Sequence, residues 1–186
     1  MANQDYIIED GVLIDYSGDS GDIVIPTGVT RIAESAFLGW DLHSINVSAD
    51  NHVFYSESNC AIDRETKTLV LGCQASIIPA DVTCIGAYAF CERANLAAMT
   101  IPAGVTFIEE FAFNGCMDLH SVVIPDSVTN IGVCAFFCCT SLTHIDYNGT
   151  MAKWAKIEKG FNWNYATGAY TVHCVDGDIK KEAPAR

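Results

Sequence analysis

The chain has 186 residues, half of them hydrophobic, with 18 % charged and a formal net charge of −13 from 23 acids against 10 bases. That length supports one domain with a sizeable core, and so acidic a surface repels phosphate backbones and anionic headgroups, which argues against nucleic acid and membrane surfaces as partners. No apolar run reaches the roughly 18 residues of a membrane helix, so no membrane insertion is expected. The start MANQDYIIEDG has neither the basic nor the apolar region of a secretory signal, which leaves cytoplasmic and exported locations both open.

Two apolar runs flank Asp10-Gly11 in YIIEDGVLIDY, Tyr6 to Tyr16. A type I′ turn needs positive φ at both central residues, so a β-hairpin is predicted over about 5–16, where it would cover an open end of the fold. An Ile-Pro pattern then occurs four times: IPTGVTRIAESAF from Ile25, IPADVTCIGAYAF from Ile78, IPAGVTFIEEFAF from Ile101 and IPDSVTNIGVCAF from Ile124. The last three prolines are 23 residues apart, while Pro26 and Pro79 are 53 apart, one period plus an insertion of 30. A fixed period in the 20–29 range predicts a stacked solenoid whose coils bury apolar side chains only against their neighbours.

Within each coil, L-x-x-I/V-x-I/V alternates at period two, the mark of a strand with one buried face. It reads LHSINV from Leu42, LAAMTI from Leu96, LHSVVI from Leu119 and LTHIDY from Leu142. Where proline follows, at Pro102 and Pro125, it ends the strand because it cannot donate to a ladder. The V-T-x-I piece predicts a second short strand, and the Ala-Phe piece a short helical segment whose Phe fills the interior. The insertion carries CAIDRETKTLVLGC, Cys60 to Cys73, which predicts a longer hairpin within about 48–76.

After Tyr147 the pattern changes. TMAKWAKIEKG predicts a short helix with Thr150 as N-cap, Met151, Trp154 and Ile157 on one side, and Gly160 as the stop. A strand over Tyr170–Cys174 follows. The array is thus expected over 1–147, a C-terminal cap with short helix and strand over 148–175, and a disordered polar tail over 176–186.

Nine cysteines are many for this length, but none form C-x-x-C, which removes the strongest zinc and thioredoxin-like spacings. Cys116 and Cys139 both lie three residues after the Phe of Ala-Phe, a placement that suits small buried side chains. Neighbouring coils bring equivalent Cα atoms to about 4.8 Å, so a bridge between these two is sterically open; free thiols are the expectation.

The repeat resembles the BspA-like, bacterial surface-antigen type of leucine-rich repeat, also found in treponemal and trichomonad proteins. The family pattern L-x-x-I-x-I-P-x-x-V-x-x-I-G-x-x-A-F-x-x-C is matched best by Leu119–Cys139, and the resemblance covers about Ile23 to Tyr147. The first coil departs by one residue fewer between Phe37 and Leu42, and Trp40 and Arg93 stand at the family's Cys. The resemblance implies an α+β solenoid, a right-handed stack of about 23-residue coils with parallel strands, hairpin insertions and end caps. It also implies adhesion or protein binding at a cell surface or after secretion.

The chemistry of the residues adds little to that. His43 and His120 are too far apart to share a metal at about 4.8 Å per strand, and His120 with His144 would need a third ligand such as Asp146. The cluster of Cys134, Cys138, Cys139 and His144 reads as packing, since adjacent residues point to different sides. There is no nucleophile elbow, zincin helix or phosphate loop. No catalytic residue, metal site or cofactor is therefore predicted, and the chain is read as non-enzymatic.

The expected binding surface is the concave strand face: His43, Ser44, Asn46, Ala97, Ala98, Thr100, His120, Ser121, Thr143, His144 and Asp146. Four or five strands give roughly 200–300 Å², against about 800 Å² per partner in a standard interface. Binding should therefore be weak and multivalent, with a host extracellular or other cell-surface protein as partner and weak self-association open. Two alternatives are a structural spacer, and glycan binding through Trp154, Phe161, Trp163, Tyr165 and Tyr170.

Overall fold

The computed structural model describes residues 5–181. At the N-terminal end, β1 (Tyr6–Glu9) and β2 (Val12–Tyr16) pair antiparallel. Asp10 and Gly11 between them have φ of 48° and 79°, the two positive values a type I′ turn demands. The first coil carries β3 (Asp22–Ile25), β4 (Arg31–Ile32) and β5 (Ser44–Val47). The insertion folds as β6 (Phe54–Glu57), β7 (Cys60–Asp63) and β8 (Thr68–Gly72), each antiparallel to the next. Later coils give β9 (Cys84–Ile85), β10 (Ala98–Thr100), β11 (Phe107–Ile108), β12 (Ser121–Ile124), β13 (Asn130–Ile131) and β14 (His144–Tyr147). The helix α1 (Met151–Lys156), β15 (Glu158–Lys159), β16 (Tyr170–Cys174) and β17 (Gly177–Lys181) close the described chain.

The strands stack in two parallel rows. In the first row β3 pairs with β5, and beyond the insertion β10, β12, β14 and β16 follow in register. Ala98, Ser121 and His144 are partners one 23-residue period apart, so the sequence period is the coil. The second row runs β8, β9, β11, β13, β15.

The Ala-Phe segments were expected to turn helically; the structure replaces that helix with successive turns. Ala89 and Cys91 donate to carbonyls three residues back, at 3.2 and 3.0 Å, but Tyr88, Phe90 and Glu92 donate to Glu110, Ala112 and Asn114 of the next coil at 3.1, 2.7 and 2.7 Å. A helix needs every such bond within its own segment; here alternate N–H groups are given to the neighbouring coil. The backbone also reverses hand at Tyr88 and Glu92, with φ of 59° and 58°. Inside, the phenyl rings of Phe90, Phe113 and Phe136 stack at 5.1 and 5.0 Å with planes 4° and 7° apart, within the attractive range for offset rings.

The insertion is a partition through the stack. β7 is buried on both sides: Cys60 and Ile62 join the C-terminal core, whereas Ala61 joins the N-terminal one with Leu13, Ile23 and Phe37. β8 divides likewise, Leu69 to one core and Leu71 to the other. Asn51 fixes the entry to this partition. Its side chain, 1 % exposed, donates to Pro26 O and Val29 O at 2.8 and 2.9 Å and accepts from the N–H groups of Val53 and Phe54 at 2.9 and 2.7 Å.

The segment after Tyr147 is itself a degenerate coil. Thr150 caps α1 by accepting from Lys153 N–H, as its sequence position suggests, but the helix ends at Lys156 and Gly160 is not its stop. Glu158–Lys159 instead joins the second row, and Gly160 comes against the backbone of the previous coil, where an added Cβ would lie 2.4 Å from Val133 N. Phe136 N–H and Cys138 N–H bond Trp163 O and Tyr165 O, the same ladder that the earlier coils use. Residues 177–181, read from sequence as part of a disordered tail, form β17 against β16. Lys181 holds it there, donating to Asn164 O and Thr167 Oγ1 at 2.7 and 2.6 Å. The remainder of that tail lies outside the described residues.

Candidate functional site

The alternation in each first-row strand sends Ile45, Met99, Val122 and Ile145 into the core and their neighbours outward. His43, Asn46, Ala97, Ala98, Thr100, His120, Thr143, His144 and Asp146 are exposed, and Ser44 and Ser121 half-buried. The structure brings them together in two groups. Ala97, Ala98, Thr100, His120, Ser121, Thr143, His144 and Asp146 lie on or beside the β10–β12–β14 ladder. His43, Ser44 and Asn46 lie on or beside β5, which belongs to a separate two-stranded sheet. The partition causes the split: Ser56 Oγ takes the Val47 N–H at 3.0 Å, and Ser58 O takes the Ile77 N–H at 3.1 Å.

The outward face extends further than the candidate residues. Thr171 and His173 on β16 continue the rows of His144 and Asp146, and Lys180 and Asp178 on β17 follow them. The rings of His144 and His173 stack at 5.7 Å, 19° apart. Each is oriented through Nδ1, by Thr143 Oγ1 at 2.8 Å and by Asp178 Oδ1 at 3.0 Å. YTVHC carries the same alternation as LTHIDY, which is the signal for this strand's place in the row. Ile77 is the other addition. By its place before Ile78-Pro79 it corresponds to Thr100 and Val123, yet it is an aliphatic side chain 73 % exposed. A large apolar residue at an outward position was the available signal.

Among the described residues no group of three or more His, Cys, Asp or Glu is placed to hold a metal ion. All nine cysteines are free thiols. Cys116 and Cys139 donate to Phe90 O and Phe113 O of the preceding coil, each at 3.1 Å, so both act as rungs between coils. Burial pushes the Cys116 thiol up to about 12 and Cys139 higher still, keeping both protonated and poorly nucleophilic. At the same repeat position Arg93, 3 % exposed, reaches across the partition. Its Nε donates to Gly72 O at 3.0 Å and Nη1 to Phe37 O and Trp40 O, both at 3.1 Å.

The aromatic cap is spent on packing. Trp154 and Tyr170 are buried, Trp163 half-buried against Phe136 at 6.3 Å, and only Phe161 and Tyr165 stand exposed. Three of the five rings proposed for glycan stacking therefore close the end of the core instead.

The repeat register, the paired rows and the thiol rungs match a known family. Six copies of the BspA type leucine-rich repeat region match residues 15–63 and 71–159, and the chain belongs to that family. A leucine-rich repeat protein from Eubacterium ventriosum ATCC 27560 superposes with a TM-score of 0.61 at 30 % identity, over 72 % of this chain and 37 % of that one. The pneumococcal vaccine antigen PcpA shares the fold, with a TM-score of 0.57 at 13 % identity over 82 % of this chain and 45 % of its own. The chain thus spans less than half the length of either structure. It matches no curated protein.

Proposed function

We propose that this chain is a non-enzymatic protein-binding module of a surface-exposed adhesive protein, and that it binds through the outward face of its first strand row. One observation carries the reading. The strand backbones are tied into a ladder while the side chains between them, mostly short and polar, stand free of the core. Such a surface is rigid in its backbone and adaptable in its hydrogen bonding. Ile77 and Val24, 73 % and 51 % exposed, give it apolar contact points. Membership of a repeat family whose sequence pattern resembles bacterial surface antigens supports the location.

Strength follows from area. Eight first-row positions about 4.8 Å apart, each exposing about 10 Å, give roughly 400 Å², half of the surface that one partner contributes to a standard interface. Single-copy binding is then micromolar or weaker, and useful retention comes from several copies acting together. The test compares monomeric and streptavidin-tetramerised chain on immobilised extracellular-matrix and bacterial surface proteins. Retention by the tetramer that falls when Ile77, Ser121 and His144 are replaced supports the reading. Equal retention of the tetramer carrying those three replacements contradicts it and favours a spacer role.

A further inference from the structure

The partition leaves a seam at the second strand row. β4 ends the three-stranded sheet β1–β2–β4, and β8 is paired on both sides by β7 and β9. Between them lies a crevice of about 200 Å³, room for six or seven waters at their liquid volume of about 30 Å³. Phe37, Leu38, Val70 and Leu71 give it an apolar wall, and Arg93, Glu34 and Glu109 also line it.

Arg93 is the unusual element. A guanidinium offers five N–H groups, and three protein carbonyls take Nε and Nη1. Among the described residues nothing accepts from Nη2, and no carboxylate lies within ion-pair distance of this cation. No fully buried side-chain nitrogen lacks a partner, so Nη2 is not sealed in, and Arg93 is among the residues that line the crevice. A charge this desolvated gains from an anionic acceptor. The lining carries the opposite sign as well: Glu34 and Glu109 are exposed, and Glu109 Oε2 is fixed by the Ala87 N–H at 3.0 Å.

A simple anion would be opposed by those two carboxylates and by a net charge of −13, and a simple cation by Arg93. We propose that the crevice binds a small aliphatic α-amino acid. Its carboxylate meets Nη2 of Arg93, its ammonium meets Glu34 and Glu109, and its side chain lies on Phe37, Val70 and Leu71. The volume limits the ligand to the small end of what protein pockets hold. This site lies on the second row and stands independently of the strand-face reading.

Three probes separate the contributions: L-leucine, 4-methylpentanoate without the ammonium, and leucinamide without the carboxylate. The readouts are the Nε–Hε signal of Arg93 by NMR and calorimetric titration of the whole chain. Leucine should shift that signal saturably, and each of the other two should bind at least about tenfold more weakly, the worth of one charge-assisted bond. Because replacing Arg93 endangers the fold, the control is Ala33→Met, which fills the lined space and leaves every Arg93 bond in place. It should abolish the response with the thermal midpoint retained. An Arg93 signal unmoved by leucine, equal binding of all three probes, or undiminished binding to Ala33→Met would each overturn the proposal.

Discussion

Asn51→Asp is the sharpest perturbation of the partition, because it changes one atom's role and almost no volume. The Asn51 amide gives two hydrogen bonds to Pro26 O and Val29 O and receives two from Val53 and Phe54. An ionised carboxylate keeps the received pair but can donate nothing, and it turns an oxygen toward two carbonyl oxygens. Val29 O is left without a donor, Pro26 O keeps only the Val29 N–H at 3.3 Å, and an unpaired charge is added to a buried site, so a loss of about 3–5 kcal/mol at pH 7 is expected. At about 2–4 °C per kcal/mol for a domain this size, the midpoint should fall by roughly 6–20 °C. The sign with pH is fixed by the same geometry. The protonated carboxyl regains one donor, so the folded state raises its pKa. The variant's stability relative to wild type is then best below the ordinary carboxylate range and declines as pH rises through neutrality. Thermal unfolding by circular dichroism at pH 4 and pH 7 reads this. A loss below about 1 kcal/mol at pH 7, or an equal loss at both pH values, would refute the reasoning.

The buried thiols make the wild type sensitive to alkali. With Cys60 and Cys116 pushed up to about 12 and Cys139 higher by burial, the unfolded chain releases protons first, so stability is unaffected below about pH 8.5 and falls above it by about 1.4 kcal/mol per pH unit for each thiol. Thiolate absorbance and far-ultraviolet dichroism should therefore change together; thiolate formation well before unfolding would contradict this. Gly132→Ala should destabilise by about 2 kcal/mol or more in urea unfolding, since its Cβ would lie 2.5 Å from Glu110 N. Ala166→Gly should stabilise by about 0.5–1 kcal/mol, because Ala166 is exposed and held at φ of 56°; an unchanged urea midpoint would refute it.

The solenoid was legible because its information is periodic: Pro79, Pro102 and Pro125 repeat at one spacing, and the alternation around Val122 and Ile145 names the buried face directly. What escaped was set by neighbours rather than by local pattern. The Ala-Phe segments have helical composition, yet ladder bonds such as Phe90 N–H to Ala112 O take the groups a helix would use. Ser58-Asn59, a second type I′ pair with φ of 49° and 60°, hid β6 because Ser-Asn is a weaker turn signal than Asp-Gly. Lys180-Lys181 read as solvated tail, whereas one of the two lysines is an anchor. Arg93 stood out as a departure from the family's Cys, but its reach to Phe37 and Trp40 follows from a partition visible only in three dimensions. The strand-face residues were nameable from alternation; their division into two groups was not.

The functional account depends on the first-row face, and not the second row, meeting the partner. A photo-crosslinking residue placed singly at Ile77, Ser121, His144 or Thr171, and at Phe107 and Asn130 on the second row, reads this directly on tetramerised chain bound to a retained surface protein. The account predicts adducts from the first four positions and none from the other two; adducts confined to Phe107 and Asn130 would contradict it.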